Sequence, residues 1–129
     1  MKRVWRQAAF MSVALALGVT PVIAQGASEF YKGKTISFVI GSDPGGSFDP
    51  YARSLSEYMP KYIPGNPKIV NKFAGGQSGG LQVANQIHNT IARDGLTIAM
   101  TQQTIVLHQV LTPEYAKYDA REWYWLGNM

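Results

Sequence analysis

Two glycine-rich segments constrain the fold of this chain more than any other feature. They are Gly41-Ser-Asp-Pro-Gly-Gly-Ser-Phe-Asp49 and Gly75-Gly-Gln-Ser-Gly-Gly80. Each follows a run of β-type residues and precedes a run whose apolar residues recur at helical spacing. A glycine turn between a strand and a helix directs backbone N–H groups, and the positive end of the helix, toward one place. The two segments therefore predict strand-to-helix units with an anion-binding edge.

Strands and helices alternate in the remaining pattern. Residues 34–40, 68–73 and 96–100 are predicted strands, because they are rich in β-branched and aromatic residues. A helix is predicted after each strand. The first helix has Asp49 as its N-cap and Pro50 at its first position. The second helix ends at Gly95, and the third covers residues 105–111. Residues 123–126 are expected to begin a fourth strand. The order predicts an α/β fold with a mostly parallel sheet, helices on both faces and all polar turns at the carboxyl edge.

The first 24 residues are predicted to be an export signal. Residues 1–6 are basic, residues 8–19 are apolar, and Val22-Ile-Ala24 gives a small-x-small cleavage site. The apolar stretch is shorter than the about 20 residues that cross a bilayer, so a signal cleaved after Ala24 is favoured over an anchor. The chain has no cysteine, which suits a bacterial periplasmic protein held by its core alone. Residues 25–129 are then the mature part.

The charge balance argues against nucleic acid as a partner. The chain has 12 basic and 8 acidic residues, and three of the basic ones precede the cleavage site. The mature part keeps nine basic residues against eight acidic ones, a net charge of +1. No basic stripe remains to neutralise phosphates. The glycine segments match neither the P-loop nor the dinucleotide pattern, and no residues have metal-ligand spacing, so neither a cofactor nor a metal is expected.

Catalytic residues are not predicted. His88 and His108 are lone histidines on predicted helices, where a packed or solvated ring is commoner than a general base. Ser47 and Ser78 lie in the glycine turns but outside any G-x-S-x-G pattern. An exported serine hydrolase using Ser47 or Ser78 is the alternative that these residues leave open. Glycines that merely permit tight turns are the simplest interpretation of either segment alone.

Several motifs in order carry a resemblance to a known family. They are Phe30-Tyr-Lys-Gly-Lys-Thr-Ile36, the first glycine segment continued to Arg53, Ile63-Pro-Gly-Asn-Pro67, the second glycine segment to Asn85, Arg93-Asp-Gly95 and Tyr118-Asp119. The chain resembles the substrate-binding proteins of tripartite tricarboxylate transporters, the Bug family of periplasmic solute receptors. The resemblance implies the first lobe of a type II periplasmic binding protein-like fold. It also implies a receptor that binds a small carboxylate, delivers it to membrane permease subunits and is a monomer when full length.

The resemblance assigns the ligand to three turns. The residues implied are Gly45, Gly46, Ser47 and Asp49 in the first turn, Ser78, Gly79 and Gly80 in the second, and Thr101 and Gln102 in the third. Gln77 departs from the family pattern, and the role of its side chain stays open. The family is more than twice as long as the mature segment, so residues 25–129 are expected to be an incomplete amino-terminal lobe. A non-functional truncated remnant is the third interpretation.

Overall fold

The structure, a computed structural model, describes residues 22–76 and 78–128. The predicted export signal lies almost entirely outside these residues, as does Gln77. The elements in chain order are α1 (Val22–Tyr31), β1 (Thr35–Ile40), α2 (Asp49–Tyr58), a 3-10 turn (Met59–Tyr62), β2 (Lys68–Phe73), α3 (Gly79–Asn89), β3 (Thr97–Met100), α4 (Ile105–Leu111) and a second 3-10 turn (Ala120–Glu122). Within the described ranges, no helix has the length and apolar content needed to cross a membrane.

A three-stranded parallel sheet forms the centre of the fold. β1 lies in the middle, with β2 on one side and β3 on the other. Ile40, the last residue of β1, pairs with Phe73 of β2 and with Met100 of β3. All three strands thus end at the same edge of the sheet. The predicted α/β class, the parallel sheet and the three strand positions are confirmed.

The core consists of two separate hydrophobic clusters, one between β1 and α2 and one among α3, α4 and the segment after α4. Phe38 and Ile40 of β1 pack with Ala52 of α2. Ala84 of α3 packs with Ile105 of α4 and with Tyr118 and Ala120, which follow α4. The connection through α2 runs from the central strand β1 to β2 on one side. The connection through α3 runs back across the sheet, from β2 to β3 on the other side. Because such crossovers are right-handed, we infer that α2 and α3 cover opposite faces of the sheet.

The end of the chain does not form the expected fourth strand in the part that the structure describes. Trp123 stacks on Tyr118 with ring centroids 5.1 Å apart, and the Trp125 indole N–H donates to the Ala120 carbonyl at 3.0 Å. These contacts hold the aromatic residues against the 3-10 turn and the α3–α4 cluster. The fourth-strand prediction is wrong because this segment is held by the packing of its aromatic rings and does not pair with the described sheet.

Two predicted helix ends also differ from the structure. Asp49 is the first residue of α2 rather than its N-cap; Phe48 takes that place and forms no side-chain capping bond. The second helix, α3, ends at Asn89, before the predicted Gly95. Gly95 does adopt a positive φ of 77°, but it does so in the turn that leads into β3.

Candidate functional site

The first and second glycine turns touch each other. A β-carbon on Gly75 would lie 1.7 Å from Oδ1 of Asp43 and 2.8 Å from the Asp43 backbone nitrogen. No side chain fits at Gly75 unless the first turn moves, because part of the obstruction is backbone. The missing β-carbon therefore lets the loop after β2 lie directly against the loop after β1.

The second and third turns are in contact as well. A β-carbon on Gly80, in the first turn of α3, would lie 2.9 Å from Cγ of Gln102, which follows β3. Residues 41–48, 74–76, 78–80 and 101–104 thus lie side by side along the edge where the three strands end. We call these residues the carboxyl rim. In open parallel sheets, ligands bind outside the carboxyl ends of the strands.

Asp49 fastens the first turn to α2. Its carboxylate accepts a hydrogen bond from the Gly45 N–H at 2.7 Å, and Nε of Arg53 lies 2.6 Å from Oδ1. The residue is only 7% exposed. The hydrogen bond from Arg53, followed by that from the Gly45 amide, lowers the pKa of Asp49 below its usual value. The carboxylate is therefore ionised at neutral pH and already has partners, so we infer that it positions the turn.

The glycine amides of the first turn are engaged inside the protein. The Gly45 N–H is bound to Asp49, and the Gly46 N–H donates to the Asp43 carbonyl at 3.0 Å. Gly45 has a φ of 81°, a conformation that glycine adopts without cost. The N–H groups of Ser47 and Phe48 donate to no acceptor within the described part of the chain. The Ser47 and Phe48 amides, which follow the two glycines, are therefore free to donate to a ligand, and the N–H groups of Ser42 and Asp43 likewise have no acceptor among the described residues.

Three hydroxyls of the rim are also without internal partners, whereas that of Ser42 donates to the Asp43 carbonyl at 3.4 Å. The side chains of Ser47, Ser78 and Thr101 form no hydrogen bond among the residues described, and Ser78 does not cap α3 although it precedes it. Ser47, Ser78 and Gln102 are exposed, and Thr101 is half-buried. Gly79 and Gly80 begin α3. The fold thus brings the residues implied for the three turns to one edge.

Both histidines make their contacts away from the rim serines. Nδ1 of His88, on α3, accepts from the Asp119 N–H at 3.5 Å. Nδ1 of His108, on α4, lies 3.3 Å from the hydroxyl of Thr112. Across residues 22–76 and 78–128, no group of three or more histidine or acidic residues could hold a metal ion.

Two asparagines of α3 hold the segment after α4, a feature that the sequence analysis missed. The Asn85 side chain donates to the Tyr115 carbonyl at 3.0 Å and accepts from the Lys117 N–H at 2.7 Å. Nδ2 of Asn89 donates to the Lys117 carbonyl at 2.5 Å. The four-residue spacing of these asparagines places them on one face of a helix, which was the available signal. Their partners are backbone groups, which the sequence does not single out.

Comparison with protein-family models, with curated proteins and with solved structures finds no match to this chain.

Proposed function

We propose that this chain is the amino-terminal, ligand-binding lobe of a periplasmic receptor for small carboxylates. The lobe belongs to the type II periplasmic binding protein-like class and serves the permease subunits of a tripartite tricarboxylate-type transporter. One observation carries the proposal: Gly75 and Gly80 bring the three strand-to-helix turns into contact along the carboxyl rim. The sequence motifs that resemble the Bug family supply the class of receptor.

The chemistry of the rim suits a carboxylate. The amides of Ser47 and Phe48 and the hydroxyls of Ser47, Ser78 and Thr101 are donors without internal acceptors among the described residues. A hydrogen bond to a charged group contributes about 1.5–3 kcal/mol, and a helix N-terminus adds about 0.3–1 kcal/mol. Two or three such contacts on one lobe correspond to a dissociation constant of about 1 mM. Weak binding is therefore expected of this chain.

The test is a titration of the 15N-labelled chain with succinate, followed by amide chemical shifts. Dispersed resonances first establish that the chain folds. Amides of Ser47, Gly80 and Thr101 are expected to shift together, with one dissociation constant of about 1 mM. Butane-1,4-diol has the same carbon chain without the carboxylates, and it should leave these amides unchanged.

A pair of serine variants separates binding at the rim from nonspecific effects. Ser47→Ala removes a rim hydroxyl and is expected to weaken succinate binding several-fold. Ser54→Ala removes an exposed hydroxyl from α2 and should not change it. The proposal fails if the shifts scatter over the surface, or if binding to this chain is sub-micromolar, because one lobe offers too few contacts for that affinity.

A serine hydrolase is the second candidate, favoured by the exposed hydroxyls of Ser47 and Ser78 in strand-to-helix turns. This function requires a base that reaches one of these serines during catalysis. Covalent labelling of either serine by a fluorophosphonate probe, located by peptide mass spectrometry, would support it. An unlabelled protein would leave the receptor as the better proposal.

A further inference from the structure

Asp43 places an acidic side chain in the middle of the carboxyl rim. It belongs to the first turn, it is exposed, and its carboxylate lies against Gly75 of the second turn. The ion pairs among the described residues join Arg53 to Asp49, Arg93 to Glu122 and Arg121 to Asp119. Asp43 is in none of them, so its negative charge is not neutralised by an ion pair within the described chain.

The other side chains of the rim do not offset this charge. Ser47, Ser78, Thr101 and Gln102 are neutral, and the guanidinium of Arg53, which follows the first turn on α2, is paired with Asp49. A carboxylate bound by the rim amides and hydroxyls would have Asp43 close beside it. A second ligand carboxylate would be repelled there, whereas a ligand cation would be attracted.

We propose that Asp43 is a specificity-determining residue that selects ligands carrying an ammonium group as well as a carboxylate, an inference that rests on the proposed receptor function. The glycine turns hold the carboxylate, and Asp43 accepts hydrogen bonds from the ammonium group. Dicarboxylates are disfavoured because they place like charges together. The ligand class is therefore the amino acids rather than the di- and tricarboxylic acids.

Two matched ligand pairs test the selection. β-Alanine is succinate with one carboxylate replaced by an ammonium group, and γ-aminobutyrate bears the same relation to glutarate. Each ligand is titrated into the 15N-labelled full chain while the amides of the rim are followed. We expect at least one amino acid to bind about tenfold more tightly than its dicarboxylate partner.

Two variants assign the preference to Asp43. Asp43→Asn keeps the shape of the side chain without its charge and should abolish or reverse the preference. Glu57→Gln removes an exposed carboxylate from the last turn of α2, away from the rim, and should keep it. Equal or tighter binding of the dicarboxylates to the wild type would overturn the role of Asp43 and leave the receptor function standing. An unchanged ligand preference in Asp43→Asn would also overturn the role of Asp43 alone. If none of the four ligands shifted the amide resonances of the rim, both proposals would be overturned.

Discussion

Gly65 lies directly against Ser28. A β-carbon on Gly65 would come within 2.5 Å of the Ser28 carbonyl oxygen and 2.8 Å of the Lys32 backbone nitrogen. Gly65 also has a φ of 89°, which side-chain-bearing residues rarely adopt. The end of α1 is thus packed, backbone against backbone, on the turn that precedes β2.

Gly65→Ala should destabilise the fold for both of these reasons. The positive φ alone costs a non-glycine residue about 1–3 kcal/mol, and displacement of α1 adds to that cost. Urea denaturation measures the free energy of unfolding. Gly127→Ala is the control, because a β-carbon there meets no atom within 4 Å. A loss below about 0.5 kcal/mol for Gly65→Ala would show that the contact with α1 is not maintained in solution.

Acid should weaken the contribution of Asp49 to stability. Folding lowers the pKa of Asp49 from 3.8 through the bonds from Arg53 and Gly45. Its contribution is therefore fully present above pH 3.8 and is lost as the pH falls through the lower folded pKa. The melting temperature of Asp49→Asn should lie below that of the wild type at neutral pH, and the gap should close in acid.

The difference between the two melting curves isolates Asp49 from other carboxylates. Arg121 likewise holds the pKa of Asp119 far below its usual value, but that pair is present in both proteins. Glu57→Gln should show the same pH dependence as the wild type. A gap that stays constant down to about pH 2 would mean that the Asp49 charge does not support the first turn.

Asn85→Ala should release the segment after α4. The variant loses the hydrogen bonds to the Tyr115 carbonyl and the Lys117 N–H, at an expected cost of about 1–3 kcal/mol. Hydrogen exchange at the Lys117 amide is the direct measurement and should become faster. Gln86→Ala, at the next position of α3, should leave that amide protected. Equal exchange in the wild type and Asn85→Ala would contradict the role given to Asn85.

Tyr118→Phe should lower the melting temperature by several degrees. The hydroxyl is buried and donates to the Ile105 carbonyl at 2.6 Å. Loss of this bond is expected to cost about 1 kcal/mol, which corresponds to about 4–8 °C in a domain of about 100 residues. Burial also raises the pKa of Tyr118 above 10.0. Tyr124→Phe is the control because Tyr124 is 94% exposed, and equal effects of the two variants would argue against the buried bond.

The local pattern was sufficient to predict the three strands and their parallel arrangement. Residues 68–73 form β2 as predicted, and residues 105–111 form α4 as predicted. β-Branched residues in short runs and apolar residues at helical spacing are properties of neighbouring positions, so they can be read along the chain. The alternation of strands and helices then limits the topology, because crossovers of this kind require parallel strands.

Tertiary structure decided how these elements meet. The strand order, the contact of Gly75 with Asp43, and the hydrogen bonds between Asn85 and the Tyr115–Lys117 segment join residues 30 or more positions apart. The sequence alone predicted glycine turns that could bind an anion, but it could not show that the Gly45 amide is bound to Asp49. Backbone donors and acceptors are the same at almost every position, so only their spatial arrangement determines which of them remain open to a ligand.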